Sequence, residues 1–120
     1  MKKLVLVVDD ERFFRNLAKQ ILDENKFEIR EAVDGEDGVR QALLLNPDLV
    51  IMDLGMPGYN GFEAICKIKA ERPACKILVC TVHAEAPYQA RAYDCGAAAF
   101  LSKRLIFSRL ITLVESVLEL

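Results

Sequence analysis

Apolar positions along the chain follow two alternating rhythms. Leu4–Val8 is an unbroken, branched apolar run, the pattern of a strand buried on both faces. Phe14, Leu17, Ala18, Ile21 and Leu22 then recur at helical spacing. Phe27–Ala32 is short and alternating, which predicts a second strand. Asp34-Gly35 turns the chain into a helix carrying Val39, Ala42 and Leu43, and Asn46-Pro47 ends it. Leu49–Met52 predicts a third buried strand. Phe62, Ile65 and Ile68 mark a third helix that stops before Pro73. Ile77–Cys80 reads as a fourth strand. A short helix follows over Ala86–Asp94, with Pro87 in its first turn and Gly96 at its end. Ala98–Leu101 is a fifth strand, and the remainder is a final helix.

Strand followed by helix, five times over, predicts an α/β fold with a parallel sheet covered on both faces. Right-handed crossovers make it doubly wound. No repeat, linker or low-complexity segment interrupts the pattern, so one domain over residues 1–120 is expected. Composition narrows the function classes. With 52% hydrophobic and 28% charged residues the chain is globular rather than disordered. Its net charge is −2 and it has no long Lys/Arg stripe, which argues against direct nucleic-acid binding. No apolar run approaches the ~18 residues of a membrane span. The opening MKKLVLVVDDE is cut off by acids too early for a signal core. Cys66, Cys75, Cys80 and Cys95 fit no zinc or C-x-x-C spacing. The expectation is therefore a cytoplasmic chain with reduced thiols.

The polar residues that end the strands carry the chemistry. In an open parallel sheet, sites form beyond the carboxyl ends of the strands. Strand one ends in Asp9-Asp10-Glu11, strand three in Asp53 and strand four in Thr81, while strand five is followed by Ser102-Lys103. Acids, a hydroxyl and an amine thus converge on one sheet edge. Neighbouring carboxylates repel unless a cation joins them. They are hard oxygen ligands suited to Mg²⁺. A carboxylate can also attack phosphorus to form an aspartyl phosphate, with a lysine and a hydroxyl stabilising the phosphoryl oxygens.

In that order, VVDDE, the D-x-x-M-P-x-x-x-G stretch from Asp53 to Gly61, Thr81 and Lys103 resemble the receiver domain of two-component response regulators, chemotaxis regulators included. The resemblance spans nearly the whole chain. It implies a flavodoxin-like (βα)5 sandwich with strand order 2-1-3-4-5, a family property rather than a consequence of spacing. It also implies that Asp53 accepts a phosphoryl group from a histidine kinase or phosphotransfer protein. Asp10 would bind Mg²⁺ (or Mn²⁺) directly, with Asp53 and the backbone carbonyl of Gly55, and Asp9 through water. Lys103 would pair with Asp53 at rest and with the phosphoryl group afterwards. Thr81 would donate to a phosphoryl oxygen, and Phe100, three residues before the lysine, would change rotamer as Thr81 moves. Val82 and His83 fall where the family tunes access to the acceptor and loss of the phosphoryl group. A downstream effector would read the face formed by helix 4, strand 5 and helix 5. The resemblance implies a signalling receiver that assists only its own phosphorylation and dephosphorylation, not an enzyme.

Plainer readings stand beside these roles. Asp9 and Asp10 suit a helix N-terminus. Thr81 is also an ordinary strand-end residue, Phe100 a core residue and His83 a solvated loop residue. Met56 and Pro57 shape the acceptor loop, and Gly61 permits a turn or a close helix approach. Two positions depart from the family. Arg104 stands where a proline usually follows the lysine. A cis bond there would cost ~2.5–4 kcal/mol, so a trans bond and a looser aim of Lys103 are expected. Val82 replaces a small residue and could narrow access to Asp53. On the final helix, Phe107, Ile111, Val114 and Leu118 form one stripe, and Ile106, Leu110, Leu113, Val117 and Leu120 an adjacent one. Together they exceed the ~100° of a one-sided helix, so part of the second stripe is either a partner or homodimer face or buried more deeply. The chain ends after this helix, which fits a stand-alone receiver or a piece of a larger regulator. The rivals are a receiver-like interaction module that is not phosphorylated and an aspartyl-phosphate phosphatase. The latter family has an acid two residues after its nucleophile, where this chain has Gly55.

Overall fold

The computed structural model describes residues 1–58 and 60–120; Tyr59, an unspecified position of the acceptor motif, lies outside the described residues. The elements run β1 (Lys3–Val8), α1 (Arg12–Leu22), β2 (Phe27–Ala32), α2 (Gly35–Leu45), β3 (Leu49–Met52), α3 (Gly61–Glu71), β4 (Lys76–Thr81), α4 (Ala86–Asp94), β5 (Ala99–Ser102), a 3₁₀ turn (Lys103–Leu105) and α5 (Ile106–Leu118). The strands form one parallel sheet in the order β2-β1-β3-β4-β5, as the resemblance implies.

Alternate residues of the strands point to opposite faces. Leu6, Val8, Val50, Met52, Ile77 and Val79 pack with Ala42 of α2, Ile65 of α3 and Ala92 of α4. Val5, Val7, Leu49, Ile51, Leu78 and Cys80 pack with Ala18 and Leu22 of α1 and with Leu110 and Val114 of α5. Burial on both faces is why β1 and β3 read as unbroken apolar runs. The chain leaves β1 for β2 on one side, then returns past β1 to β3. That reversal opens a crevice beyond the carboxyl ends of β1 and β3, and Asp9 and Asp53 are the next residues along the chain.

Two features differ from the expected pattern. β5 lies one residue later than Ala98–Leu101, because Ser102 still pairs with Thr81 of β4. The final helix does not start at once. The Ser102 hydroxyl accepts the Arg104 N–H at 3.3 Å and opens a 3₁₀ turn with Lys103 as its first residue. On α5 most of the second stripe packs into the core. Ile106 and Leu110 are buried, and Leu113 and Val117 are half-buried against the same cluster. The helix fills the corner between α1 and strands β4 and β5, so it needs two apolar stripes. Of the two stripes, Phe107 from the first and Leu120 from the second stand in solvent, at 74% and 65% exposure.

The acceptor loop is pinned from both ends. Leu54 and Met56 are buried in the α2–α3 side of the core. Asn60 caps α3 by accepting the Glu63 N–H at 2.9 Å and donating to the Glu63 carboxylate at 2.9 Å. Gly61 meets the close approach expected of it. A Cβ there would lie 2.5 Å from the Asp53 carbonyl oxygen and 2.8 Å from Leu54 Cα, both backbone atoms that cannot rotate away. Gly61→Ala is expected to cost about 1–3 kcal/mol, seen as a lower urea midpoint with an unchanged m-value.

Candidate functional site

Backbone hydrogen bonds carry the strand ladder one step past the strand ends. The Asp9 N–H donates to the Ala32 carbonyl and the Asp53 N–H to the Val8 carbonyl, each at 3.1 Å. Both side chains are thereby fixed at the crevice, and each residue is only 5% exposed. Asp10, the next residue, is exposed. One carboxylate oxygen from each of Asp9, Asp10 and Asp53 lies within 4.8 Å of the other two.

Lys103 closes the pocket from the 3₁₀ turn. Its Nζ is 2.8 Å from Asp9 Oδ2, 3.3 Å from Asp53 Oδ2 and 3.8 Å from Glu11 Oε1. It also sits 3.8 Å over the ring of Phe14, which shields one side of the ammonium. No cis peptide occurs among the described residues, so the Lys103–Arg104 bond is trans as expected. The expected loss of aim does not follow, because the Ser102 turn and the Phe14 ring direct the ammonium onto both carboxylates. The resting partner of Lys103 is also shared: Asp9 is nearer than Asp53.

The electrostatics follow from this burial. Desolvation raises the Asp9 carboxyl above its ordinary value and outweighs the opposing pull of Lys103 and of the Glu11 N–H. Desolvation works to lower Lys103, but its hydrogen bond to Asp9 and the charges of Asp53 and Asp9 outweigh it and hold the amine above its ordinary value. The lysine is therefore a fixed cation at neutral pH. One ammonium against Asp9, Asp53, Asp10 and the nearby Glu11 leaves the corner short of positive charge. Converging hard oxygens with that deficit suit a small divalent cation, so the donor set fits Mg²⁺.

The acids do not cap α1 as the alternative reading supposed. Glu11 is at the cap position, without a side-chain cap bond, and its N–H donates to Asp9 Oδ1 at 2.9 Å. The corner is braced instead by Arg15, which sequence reasoning missed. Its Nη1 donates to the Asp9 carbonyl at 2.7 Å and its Nε to Glu31 Oε1 at 2.9 Å. Burial tends to raise the Glu31 carboxyl, but Lys19 and Arg15 overcome it and hold the group below its ordinary value. A signal was present: Arg15 falls in register with Ala18 and Leu22 on the buried face of α1.

The remaining predicted residues ring this centre. Asp53 Oδ1 accepts the Gly55 N–H at 3.3 Å. A Cβ at Gly55 would lie 2.9 Å from His83 Nε2, so the imidazole lies across the acceptor loop in the space a side chain would take. The same ring is 5.6 Å from that of Tyr88, and His83 is exposed, as a loop residue there is expected to be. Thr81 is fully buried, and its Oγ1 accepts the His83 N–H at 3.2 Å. Val82 is 58% exposed. Phe100 is half-buried against the α2–α4 side of the core, and it lines a groove of about 220 Å³ with Ala84, Leu105, Arg109 and Leu113.

A doubly wound domain with paired acids and a lysine in its switch-point crevice defines a small α/β phosphotransfer and signalling class. Within it, the chain belongs to the response regulator receiver domain family, whose profile matches residues 5–115. The chemotaxis protein CheY of Thermotoga maritima is 36% identical over 118 residues, covering 98% of each chain. A protein-glutamate methylesterase/protein-glutamine glutaminase of Colwellia psychrerythraea is 42% identical over 103 residues, which is 83% of this chain. The match spans only 27% of that longer relative. A crystal structure of a LuxR-family two-component response regulator from Aurantimonas sp. superposes with a TM-score of 0.92 at 26% identity, covering 99% of this chain and 86% of its own. This is a CheY-like receiver domain of two-component signalling, and none of its helices is long and apolar enough to cross a membrane.

Proposed function

We propose that residues 1–120 act as a single cytoplasmic receiver domain that takes a phosphoryl group onto Asp53 from a partner phosphohistidine. The observation that carries this reading is the Asp53 carboxylate, buried beside Asp9 and held by two bonds of 3.3 Å, from Lys103 and the Gly55 N–H. An Asp53 oxygen attacks phosphorus as the bond from phosphorus to the donor nitrogen breaks. Lys103 then turns from Asp53 Oδ2 to a phosphoryl oxygen while keeping Asp9. The Thr81 Oγ1 already accepts from the His83 N–H, so its own hydrogen is the one left to donate to a phosphoryl oxygen. Moving Thr81 pulls on the end of β4, which pairs with β5 at Ser102, two residues from Phe100. Phe100 stands half-exposed in its groove, and an effector reads the α4–β5–α5 face.

Asp10, Asp53 and the Gly55 carbonyl would hold Mg²⁺ or Mn²⁺, with Asp9 contributing through water, and the ion when bound offsets the charge on the phosphoryl oxygens. Mg²⁺ is expected to raise the melting temperature in a concentration-dependent way. Asp10→Asn is expected to weaken that effect by more than roughly 10-fold in Mg²⁺ concentration. The same variant should match or exceed wild-type stability without metal, because a repelling charge is gone. Differential scanning fluorimetry with and without chelator reads both outcomes.

The functional test is incubation with Mg²⁺ and a small acyl phosphate, followed by intact mass spectrometry. Gain of one phosphoryl group supports the proposal. Failure to label under all metal and donor conditions favours the interaction-module reading suggested by Arg104 and Val82.

A further inference from the structure

We propose that Cys66 of α3 and Cys95 at the end of α4 form a dithiol that a peroxide oxidises to a disulfide tying the two helices together. Helix register brings the two thiols together. Arg91 of α4 lies 4.2 Å over the ring of Phe62 of α3. Cys66 and Cys95 are each four residues further along the same two helices, so they occupy the same faces one turn on. Both cysteines line one cavity of about 230 Å³ together with Phe62, Glu63 and Arg91. Beyond them the chains approach again, since a Cβ at Gly96 would lie 3.0 Å from Lys69 Cγ. Contacts above and below therefore clamp the pair face to face. Burial, and then the neighbouring Cys66 thiol, push the Cys95 thiol up to about 11.

The four cysteines differ in access. Cys66 is exposed and Cys95 half-buried, whereas Cys75 and Cys80 are buried. Burial shuts both away from peroxide and pushes Cys75 up to about 11 and Cys80 up to about 12, so access rather than acidity sets them apart from the exposed Cys66. Cys66 is thus the first attacker. Its thiolate attacks one oxygen of hydrogen peroxide as the O–O bond breaks, and the departing hydroxide takes up the proton the thiol released, giving a sulfenic acid and one water. The Cys95 sulfur then attacks the Cys66 sulfur, and the hydroxyl leaves with a proton as a second water. Two thiols are oxidised by two electrons and one peroxide is reduced. In a reducing compartment such a bond is transient and reversible by thiols.

The test uses the full chain, reduced and then exposed to hydrogen peroxide without any phosphodonor. Remaining thiols are blocked and the protein is digested and mapped. The expected product is monomeric, lacks two hydrogen atoms, carries a Cys66–Cys95 linked peptide and returns to the starting mass with dithiothreitol. Cys75 and Cys80 should remain blockable after unfolding. The linked peptide should be absent from Cys66→Ser and Cys95→Ser. It should form unchanged in Asp53→Asn, so the outcome is independent of the phosphoacceptor assignment. Oxidation is also expected to raise the melting temperature by roughly 5–10 °C, through closure of the loop between the two cysteines. Over-oxidation of Cys66 without a link, a dimer joined through Cys66, or a link involving Cys75 or Cys80 would overturn the proposal.

Discussion

Asp53→Asn is expected to abolish phosphoryl incorporation from a small acyl phosphate, to below about 1% of the wild-type rate, while the protein remains folded. The carboxamide keeps the shape and burial of the side chain but is no nucleophile toward phosphorus. Lys103 keeps its 2.8 Å contact with Asp9, so the pocket does not collapse. One fewer buried carboxylate beside Asp9 relieves repulsion, so the melting temperature should be unchanged or higher. Reading both quantities separates the lost nucleophile from a lost fold. Labelling of the Asp53→Asn variant at the wild-type rate would place the acceptor elsewhere.

Lys103→Met is expected to damage both stability and chemistry. The ammonium is buried between two buried carboxylates, and removing it leaves them without a counter-charge. Breaking such a pair typically costs about 3–5 kcal/mol. The cost falls toward the low end here, because burial already raises the Asp9 carboxyl toward its neutral form. Asp9 can therefore shed part of the strain by binding a proton. The sign with pH follows. In the variant the folded state holds a proton that the unfolded state has lost, so stability should fall as pH rises above the ordinary aspartate value of 3.8. Mg²⁺ should recover more stability in the variant than in the wild type, because it supplies the missing positive charge. Phosphorylation should slow by roughly 10²-fold, the usual cost of one lost donor to a developing oxyanion. Urea unfolding at several pH values, with and without Mg²⁺, checks the first part and labelling kinetics the second. Wild-type stability without metal would mean that the lysine does not hold the acids together.

Much of this was legible in the sequence because it was periodic. Unbroken runs at β1 and β3 and helical spacing between them define the βα repeat. The rule that sites lie beyond strand ends then singles out Asp9, Asp10, Asp53, Thr81 and Lys103 without any coordinates. Local hydrogen bonds that leave no hydrophobic trace were not legible. The Ser102 hydroxyl that opens the 3₁₀ turn is one. The turn it creates corrects the expectation, drawn from Arg104, that the lysine would lose its aim. Arg15 and Phe14 were hidden for another reason: on α1 they look like ordinary members of a helical pattern, and only tertiary contact shows one bracing Asp9 and the other covering Lys103. The broad apolar surface of α5 was visible, but a corner helix packed against both α1 and the sheet has the same pattern as a docking helix.

The proposed phosphorylation requires that the strand ends gather carboxylates into a pocket that holds a divalent ion beside the Asp53 nucleophile. Its most direct test is anomalous diffraction from crystals grown with Mn²⁺. One strong peak is expected in the crevice beyond β1 and β3, within direct ligation distance of carboxylate oxygens of both Asp10 and Asp53. A peak elsewhere, or an ion held by Asp10 with Asp53 outside its coordination shell, would separate the ion from the nucleophile and overturn the assignment.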